Sequence, residues 1–391
     1  MNCPRRVCIV TDSRAEYGHM RWLIHDLRED PEVELQVVVS GAHLSPWHGN
    51  TISEISADGI EINERVDMLL ASDGPLAVAK SIGLGVIGFA EAFRRLEPAI
   101  VVILGDRFEM LAAAQAALVL RIPIAHLHGG ETTEGAIDEA IRHSITKMSH
   151  LHFVATEPYR RRVIQLGEDP ARVFNFGAPG MDHLTRTTFL SRADLEEFLG
   201  LRLAPPTLLV THHPATLSDE EPSAEIRELV MALEAIPEAT VILTGVNADP
   251  GSTSVAKIIH DFADRNCARV RLFESLGSLR FLSLMRLCNV VVGNSSSGII
   301  EAPAFGVPSI NIGDRQKGRL RADSILDCSA DTGLILAALH RALSPDMQTK
   351  AQHTVSVYGA GDASRQIIRV LKTYPLGGLI IKSFYDVADI K

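Results

Sequence analysis

The chain has no C-x-x-C pair: Cys3, Cys8, Cys267, Cys288 and Cys328 stand apart, mostly beside apolar runs. That excludes a zinc knuckle and a disulfide framework and leaves buried or incidental thiols. A basic excess is missing too. Lys and Arg number 38 against 48 Asp and Glu, a net charge of -10, so the cationic surface that nucleic acid or an anionic membrane requires is absent and neither is expected as a partner. No uninterrupted apolar run approaches the roughly 18 residues of a membrane helix, and the opening MNCPRRVCIVTDSR has too short an apolar core for a signal peptide. A cytoplasmic location is therefore expected. Apolar residues make up 46% and charged residues 22%, which is too apolar for extended disorder. At 391 residues the chain exceeds what one core usually supports, so two domains are expected.

What is present is a repeated alternation. Short apolar runs alternate with helical segments: RVCIVTD, LQVVVSG, AIVVILGD, IPIAHLHGG, LHFVATE and VFNFG, then TLLVTHHP, ATVILTGV, RVRLFES, NVVVGNS and PSINIGD. Apolar runs without polar alternation, separated by helices, predict parallel strands buried on both faces, hence an α/β fold of two doubly wound, Rossmann-like domains. The expected divisions are 1–182 for the domain carrying catalytic carboxylates, 183–361 for a nucleotide-binding domain, and 362–391 for a terminal helix and tail that return to the first.

Gly83, Gly85 and Gly88 match the G-x-G-x-x-G spacing of a dinucleotide loop. Such a loop must leave a strand directly, because the first glycine turns the chain toward a helix N-terminus that meets the pyrophosphate. Nothing before Gly83 reads as a strand. Instead Ser72, Asp73 and Pro75 give a helix start, and Leu76, Ala79, Ile82, Val86, Ala90, Phe93 and Leu96 recur at helical steps. The glycines thus belong inside a helix, and no NAD is expected.

Ligands of open α/β sheets bind beyond the carboxyl ends of the strands. Those ends are crowded with polar groups: Arg14 and Glu16; Asp106, Arg107 and Glu109; His126, His128, Glu131, Asp138 and Arg142; His212 and His213. Singly, each admits a bland explanation. Asp106 and Glu109 resemble a capping box, Asp138 and Arg142 a surface ion pair one turn apart, and His126 or His128 a core imidazole. In the second half, GNSSSGIIE offers Ser295, Ser296, Gly298 and the loop amides for a phosphate and Glu301 for ribose hydroxyls, or else a serine-rich turn with an N-cap. Arg315, Lys317, Arg319 and Arg321 add positive charge for a diphosphate. The Walker lysine is absent, and no metal-ligand spacing is present, so no obligatory metal is expected.

Read together, SRAEYG, GNTI, GDRFE, HLHGGETTEGAIDEAIRHSITKMSHLHF, HHP, GNSSSGIIE, NIGDRQKGR and the closing SFYDVADI resemble the UDP-N-acetylglucosamine 2-epimerases, most of all their hydrolysing bacterial branch. The resemblance implies the two-domain GT-B arrangement with a central cleft, UDP held mainly by the second domain, and a homodimer or homotetramer. It implies proton-transfer roles for Asp106 and Asp138, with Glu131 the nearest further carboxylate and Arg107 positioning Asp106. It also implies contacts of Arg14 and His213 with the diphosphate, and of Ser295, Ser296, Gly298, Glu301 and Arg319 with UDP. Where many relatives have a glutamate, this chain has His128, and whether His128 or Glu131 does that work stays open.

The implied chemistry is constrained by the substrate. Hydrogen on carbon 2 of a nucleotide sugar is not adjacent to a carbonyl, so inversion needs either oxidation or elimination of UDP followed by hydration. Without a nicotinamide loop, elimination is expected, with water as second reactant. The expected substrate is UDP-N-acetylglucosamine, giving N-acetylmannosamine for sialic-type acids. The alternatives are UDP-2,4-diacetamido-2,4,6-trideoxyglucose of the legionaminic branch, the nonhydrolysing epimerase, a GT-B glycosyltransferase, and a silent nucleotide-sugar sensor.

Overall fold

The computed structural model describes residues 4–46, 51–72, 74–134, 136–213, 223–245 and 252–387, so Cys3, Gly49, Asn50 and Asp73 lie outside the described residues. The chain divides into two units. The first comprises Met1–Glu131, Asp138–Thr185 and Tyr358–Lys391, the second Thr132–Ile137 and Arg186–Val357.

The first unit is built on seven parallel strands: β1 (Arg5–Thr11), β2 (Val33–Ser40), β3 (Glu64–Val66), β4 (Ile100–Leu104), β5 (Ile124–Leu127), β6 (Leu151–Val154) and β7 (Val173–Asn175), in the order β3-β2-β1-β4-β5-β6-β7. The second has six: β8 (Thr207–Thr211), β9 (Thr240–Thr244), β10 (Val270–Phe273), β11 (Val290–Gly293), β12 (Ser309–Ile312) and β13 (Ile325–Cys328), in the order β10-β9-β8-β11-β12-β13. In each sheet the winding reverses once, between β1 and β4 and between β8 and β11. There the helices leave on opposite faces and open a crevice beyond the strand ends. Strands β4 and β8 are buried at every position, as continuous apolar runs require when helices cover both faces. Two strands went unread in the sequence, β3 and β13. Both are short sheet edges that carry charge, Glu64 and Arg65 in one and Asp327 in the other, so neither forms an apolar run.

The glycine fingerprint lies inside the helix Pro75–Leu96, whose N-cap is Gly74. Its buried face is not the most apolar one. Ala77, Val78, Ser81, Gly85, Phe89 and Ala92 face inward, while Leu76, Leu84 and Ile87 are exposed. Small residues win the inner face because the helix lies close to its neighbours. A Cβ on Gly85 would stand 2.9 Å from the Ala112 Cβ, and one on Gly88 2.6 Å from the Val66 Cγ1, whereas one on Gly83 would meet nothing. This helix also corrects the reading of apolar runs: among the described residues it alone is long and apolar enough to cross a membrane. Phe89, Ala92 and Phe93 nevertheless sit in a core with β1, β4 and the helix Phe108–Val119.

The helix Ala363–Thr373 belongs to the first unit and contributes Ile367, Ile368 and Leu371 to the core under β1 and β2. It has no side-chain cap of its own. The buried Asp182 carboxylate instead accepts from the amides of Asp362, Ala363 and Ser364 at 2.6, 2.9 and 2.9 Å, supplying what an N-cap residue usually provides.

The glycines of Pro75–Leu96 yield a paired prediction. Gly83→Ala should stabilise the protein by about 0.5–1 kcal/mol through helix propensity alone, and Gly88→Ala should destabilise it by about 1–3 kcal/mol through overpacking against Val66. Urea melts of the two variants would separate these signs; a shift of the same sign in both would contradict the packing described.

Candidate active site

Ser13 caps the helix Arg14–Glu29, its Oγ accepting from the Glu16 amide, so Arg14 and Glu16 start that helix directly beyond β1. The Arg14 guanidinium carries a buried Nη1 with no hydrogen-bond partner among the described residues. Burial pushes its pKa below the ordinary value, against the opposing pull of Glu54. Beyond β4, the helix Phe108–Val119 begins with Arg107 as N-cap and without any side-chain cap, so the expected capping box of Asp106 and Glu109 does not form. Each carboxylate does something else.

Asp106 receives the guanidinium of Arg142, a side chain only 1% exposed. Arg142 also donates to Glu139 at 2.8 Å and to the Glu131 carbonyl at 3.0 Å. It is therefore an interior cation and not half of a surface pair. Asp138 opens the helix that carries Arg142, Asp138–Met148, and is half-buried. Arg107, to which the resemblance gave the positioning of Asp106, pairs with Asp12 at 3.2 Å and Glu109 at 3.3 Å.

Asp12 and Glu109 are fully buried and Glu16 nearly so, gathering three carboxyl groups around the guanidinium of Arg107. Burial pushes Glu109 up to about 8, with Arg107 pulling it down and Asp12 adding to the rise. Burial and then Asp12 raise Glu16 well above the ordinary range. The acids remain close because protonation removes part of their mutual repulsion.

The two histidines of β5 and its end separate sharply. His126 is fully buried; its Nε2–H donates to the Gly105 carbonyl at 2.7 Å and its Nδ1 accepts from the Thr146 hydroxyl at 3.1 Å. Burial pushes it down to about 3, so it is a neutral post tying the turn before Asp106 to the helix of Asp138 and Arg142. His128 adopts a left-handed backbone, φ +64°. Its Nδ1–H donates to Glu131 at 2.5 Å.

In the second unit the loop after β11 is set by Gly293, φ +131°, where a Cβ would lie 1.9 Å from the Thr211 carbonyl oxygen. No other residue fits there. Asn294, fully buried, grips the backbone of His213: its Oδ1 accepts from the His213 amide and its Nδ2 donates to the His213 carbonyl, both at 2.7 Å. The Asn294 carbonyl in turn accepts from Arg315 at 3.2 Å and Gln316 at 2.9 Å. Ser295 and Ser296 stand half-exposed on this loop, and Glu301 is buried at its far end. The helix behind them is a single turn, Ser297–Ile300, so the expected dipole is small and any phosphate contact falls to loop amides and hydroxyls. Gly298 has a packing reason of its own, since a Cβ there would meet the Ser309 Oγ at 2.7 Å. Arg319 closes the turn that Gln316 begins. Arg321 is engaged by Asp327 at 3.0 Å, and His212 lies 3.4 Å from Glu225.

The structure therefore brings Asp106, His128, Glu131 and Asp138 to adjoining strand ends of the first unit, and His213, Ser295, Ser296, Glu301 and Arg319 to those of the second. Sequence reasoning left Arg142, Asn294 and the buried role of Asp12, Glu16 and Glu109 outside the site. The i, i+4 spacing of Asp138 and Arg142 was a usable signal, but spacing does not tell a buried face from a wet one. Among the described residues no three His, Cys, Asp or Glu side chains converge to hold a metal ion.

A raised carboxyl pKa has a signed consequence. The ordinary value is 4.5 and the folded value about 8, so the stability that the Glu109 proton contributes is complete below pH 4.5 and is lost as pH rises through 8. Glu109→Gln should therefore lose less stability than the parent between pH 5 and 8.5 in urea unfolding. Equal losses would mean that Glu109 does not hold the proton.

Comparison with known proteins identifies the family of the chain. The profile of the family described as UDP-N-acetylglucosamine 2-epimerase matches residues 25–372. The chain is 45% identical over 323 residues to the GDP/UDP-N,N'-diacetylbacillosamine 2-epimerase (hydrolyzing) of Campylobacter jejuni, covering 83% of this chain and 84% of that one. It is 36% identical to the UDP-N,N'-diacetylbacillosamine 2-epimerase (hydrolyzing) of Legionella pneumophila, covering 96% and 98%. The crystal structure of UDP-GlcNAc 2-epimerase from Neisseria meningitidis bound to UDP-GlcNAc superposes with a TM-score of 0.78 at 20% identity, covering 94% of this chain and 99% of that one, a GT-B-like likeness of fold. With a family profile spanning most of its length and relatives of this identity, the chain belongs to the UDP-N-acetylglucosamine 2-epimerase family and is an enzyme of its hydrolysing, UDP-sugar-cleaving kind.

Proposed function

We propose that the enzyme hydrolyses UDP-2,4-diacetamido-2,4,6-trideoxyglucose, the diacetylbacillosamine nucleotide, to UDP and the free sugar inverted at carbon 2, for nonulosonic acid synthesis. The names of the 45% and 36% identical relatives support this substrate. UDP-N-acetylglucosamine, the substrate first expected, is the second reading, favoured by the family description. The observation that carries the chemistry is the pairing of Asp106 with buried Arg142 on the helix that begins with Asp138.

Two steps balance. A base takes the carbon 2 proton, the C–H pair becomes the C1=C2 bond, and the C1–O pair leaves with UDP. Water then adds its hydroxyl to carbon 1 while a proton reaches carbon 2 from the opposite face. Asp106 and Asp138 take part in the proton transfers, Arg14 and His213 meet the diphosphate, and Ser295, Ser296, Glu301 and Arg319 hold UDP. Arg107 and Gly298 act through structure. The route uses no nicotinamide and no obligatory metal, and the cytoplasm is its place.

Incubation with each UDP-sugar in deuterated water, followed by NMR, should show UDP and a free manno-configured sugar with deuterium at carbon 2. Release of UDP only on addition of an acceptor would identify a transferase instead. Asp106→Asn and Asp138→Asn should each lose turnover about 100-fold or more while still binding UDP, and near-normal rates in both would show that other carboxylates act.

We also propose a homo-oligomer that covers the outward apolar face of Pro75–Leu96, where Leu76, Leu84 and Ile87 are exposed beside Gly83. Ile87→Asp should lower the mass measured by light scattering, and an unchanged mass would place the contact elsewhere.

A further inference from the structure

His128 carries two costs at once. It is a non-glycine residue at φ +64°, a region that histidine enters more readily than most side chains but still rarely. Its Nε2 is buried with no hydrogen-bond partner among the described residues, a desolvation that goes uncompensated. The same strand supplies the contrast, because both ring nitrogens of His126 are satisfied. Strain and an unpaired buried nitrogen on one residue at a strand end are what functional sites retain and ordinary cores avoid.

The surroundings say what the ring is prepared to do. The His128 amide is pinned to the Phe153 carbonyl at 3.0 Å, so the backbone does not swing. Glu131, whose side chain is 1% exposed, takes the Nδ1–H at 2.5 Å. A carboxylate in that position fixes the tautomer in which Nε2 bears the lone pair, and it stabilises the imidazolium formed when Nε2 takes a proton. Glu131 is held by Arg142 through its carbonyl, and the same guanidinium reaches Asp106. The dyad and the Asp106 carboxylate thus share one rigid support. The His19 ring lies beside His128, its centroid 6.0 Å away.

We infer that the Nε2 of His128 is the base that takes the carbon 2 proton, with Glu131 as its orienting carboxylate. This inference rests on the elimination reading above. The C2–H bond breaks, its proton goes to Nε2, its electron pair forms C1=C2, and UDP leaves with the C1–O pair. The product carries its new proton on the other face of carbon 2, so a second group must deliver it, and Asp106 and Asp138 remain for that step. His128 and Glu131 accordingly divide one task between them: the histidine moves the proton and the glutamate positions the histidine.

His128→Asn is the informative variant. Asparagine tolerates the left-handed backbone and offers an amide to Glu131 but contains no base. His128→Gly, which also accepts φ +64°, serves as the second variant should the first fail to fold, with UDP affinity and thermal melting as the check on folding. Turnover is measured with the substrate and with its carbon-2-deuterated form. The expected result is a kcat lowered about 100-fold or more, unchanged UDP affinity, and a deuterium isotope effect larger than in the parent, because proton removal has become the slow step. A rate within a few-fold of the parent, or a slow variant whose isotope effect is no larger, overturns the assignment and makes His128 structural. Should the unaltered enzyme release no free sugar from any UDP-2-acetamido sugar, it is the elimination reading that fails; the base assignment fails alone only when the parent turns over.

Discussion

A guanidinium in the interior organises the first unit. Arg142, 1% exposed at its side chain, would be ruinously unstable there without partners, because an unpaired buried charge costs several kcal/mol. Its neighbours are therefore prescribed. Asp106, Glu139 and the Glu131 carbonyl all turn toward it, and they come from three separate stretches of chain. One cation thereby holds in register the end of β4, the loop after β5 and the first turns of Asp138–Met148. Asp106 and Glu139 are placed by the need to neutralise it.

Around this centre the protein limits charge by protonation state. His126 is kept neutral by burial and becomes a rigid hydrogen-bonding strut between the Gly105 turn and Thr146. Glu109 and Glu16 are pushed toward their neutral forms and pack with Asp12 around Arg107. Formal charge is thereby reduced in the interior layer, while Asp106 and Asp138 lie nearer the surface. The second unit positions His213 with a neutral amide, Asn294, and a glycine whose backbone touches the neighbouring strand. An amide grips backbone donors and acceptors without any desolvated charge, which suits a loop proposed to receive an anion.

How much of this was legible in the sequence varies by kind of residue. Central strands were legible because burial on both faces demands uninterrupted apolar runs, and the helical placement of Gly83, Gly85 and Gly88 followed from the missing strand before them. The edges β3 and β13 were illegible, since an edge tolerates the charges of Glu64, Arg65 and Asp327. In Pro75–Leu96 the apolar steps revealed a helix but not its buried face, because hydrophobicity ranks Leu76 above Gly85 whereas close packing selects the smaller residue. Asp106, His128, Glu131 and Asp138 were singled out because they crowd the strand ends, whereas the link that Arg142 makes between Asp106 and the Glu131 carbonyl was not legible.

The sequence by itself determined the class of fold, the two series of parallel strands and the motif set that marks the family, because periodicity and ordered motifs are local or linear properties. Which guanidinium meets Asp106, which acids carry protons, and which of two alternate histidines keeps an unpaired nitrogen were decided only by the tertiary structure. Those outcomes depend on burial and on distances between residues far apart in the chain, and a change of solvation alone turns Arg142 from a surface ion-pair partner into the interior charge on which the site is built.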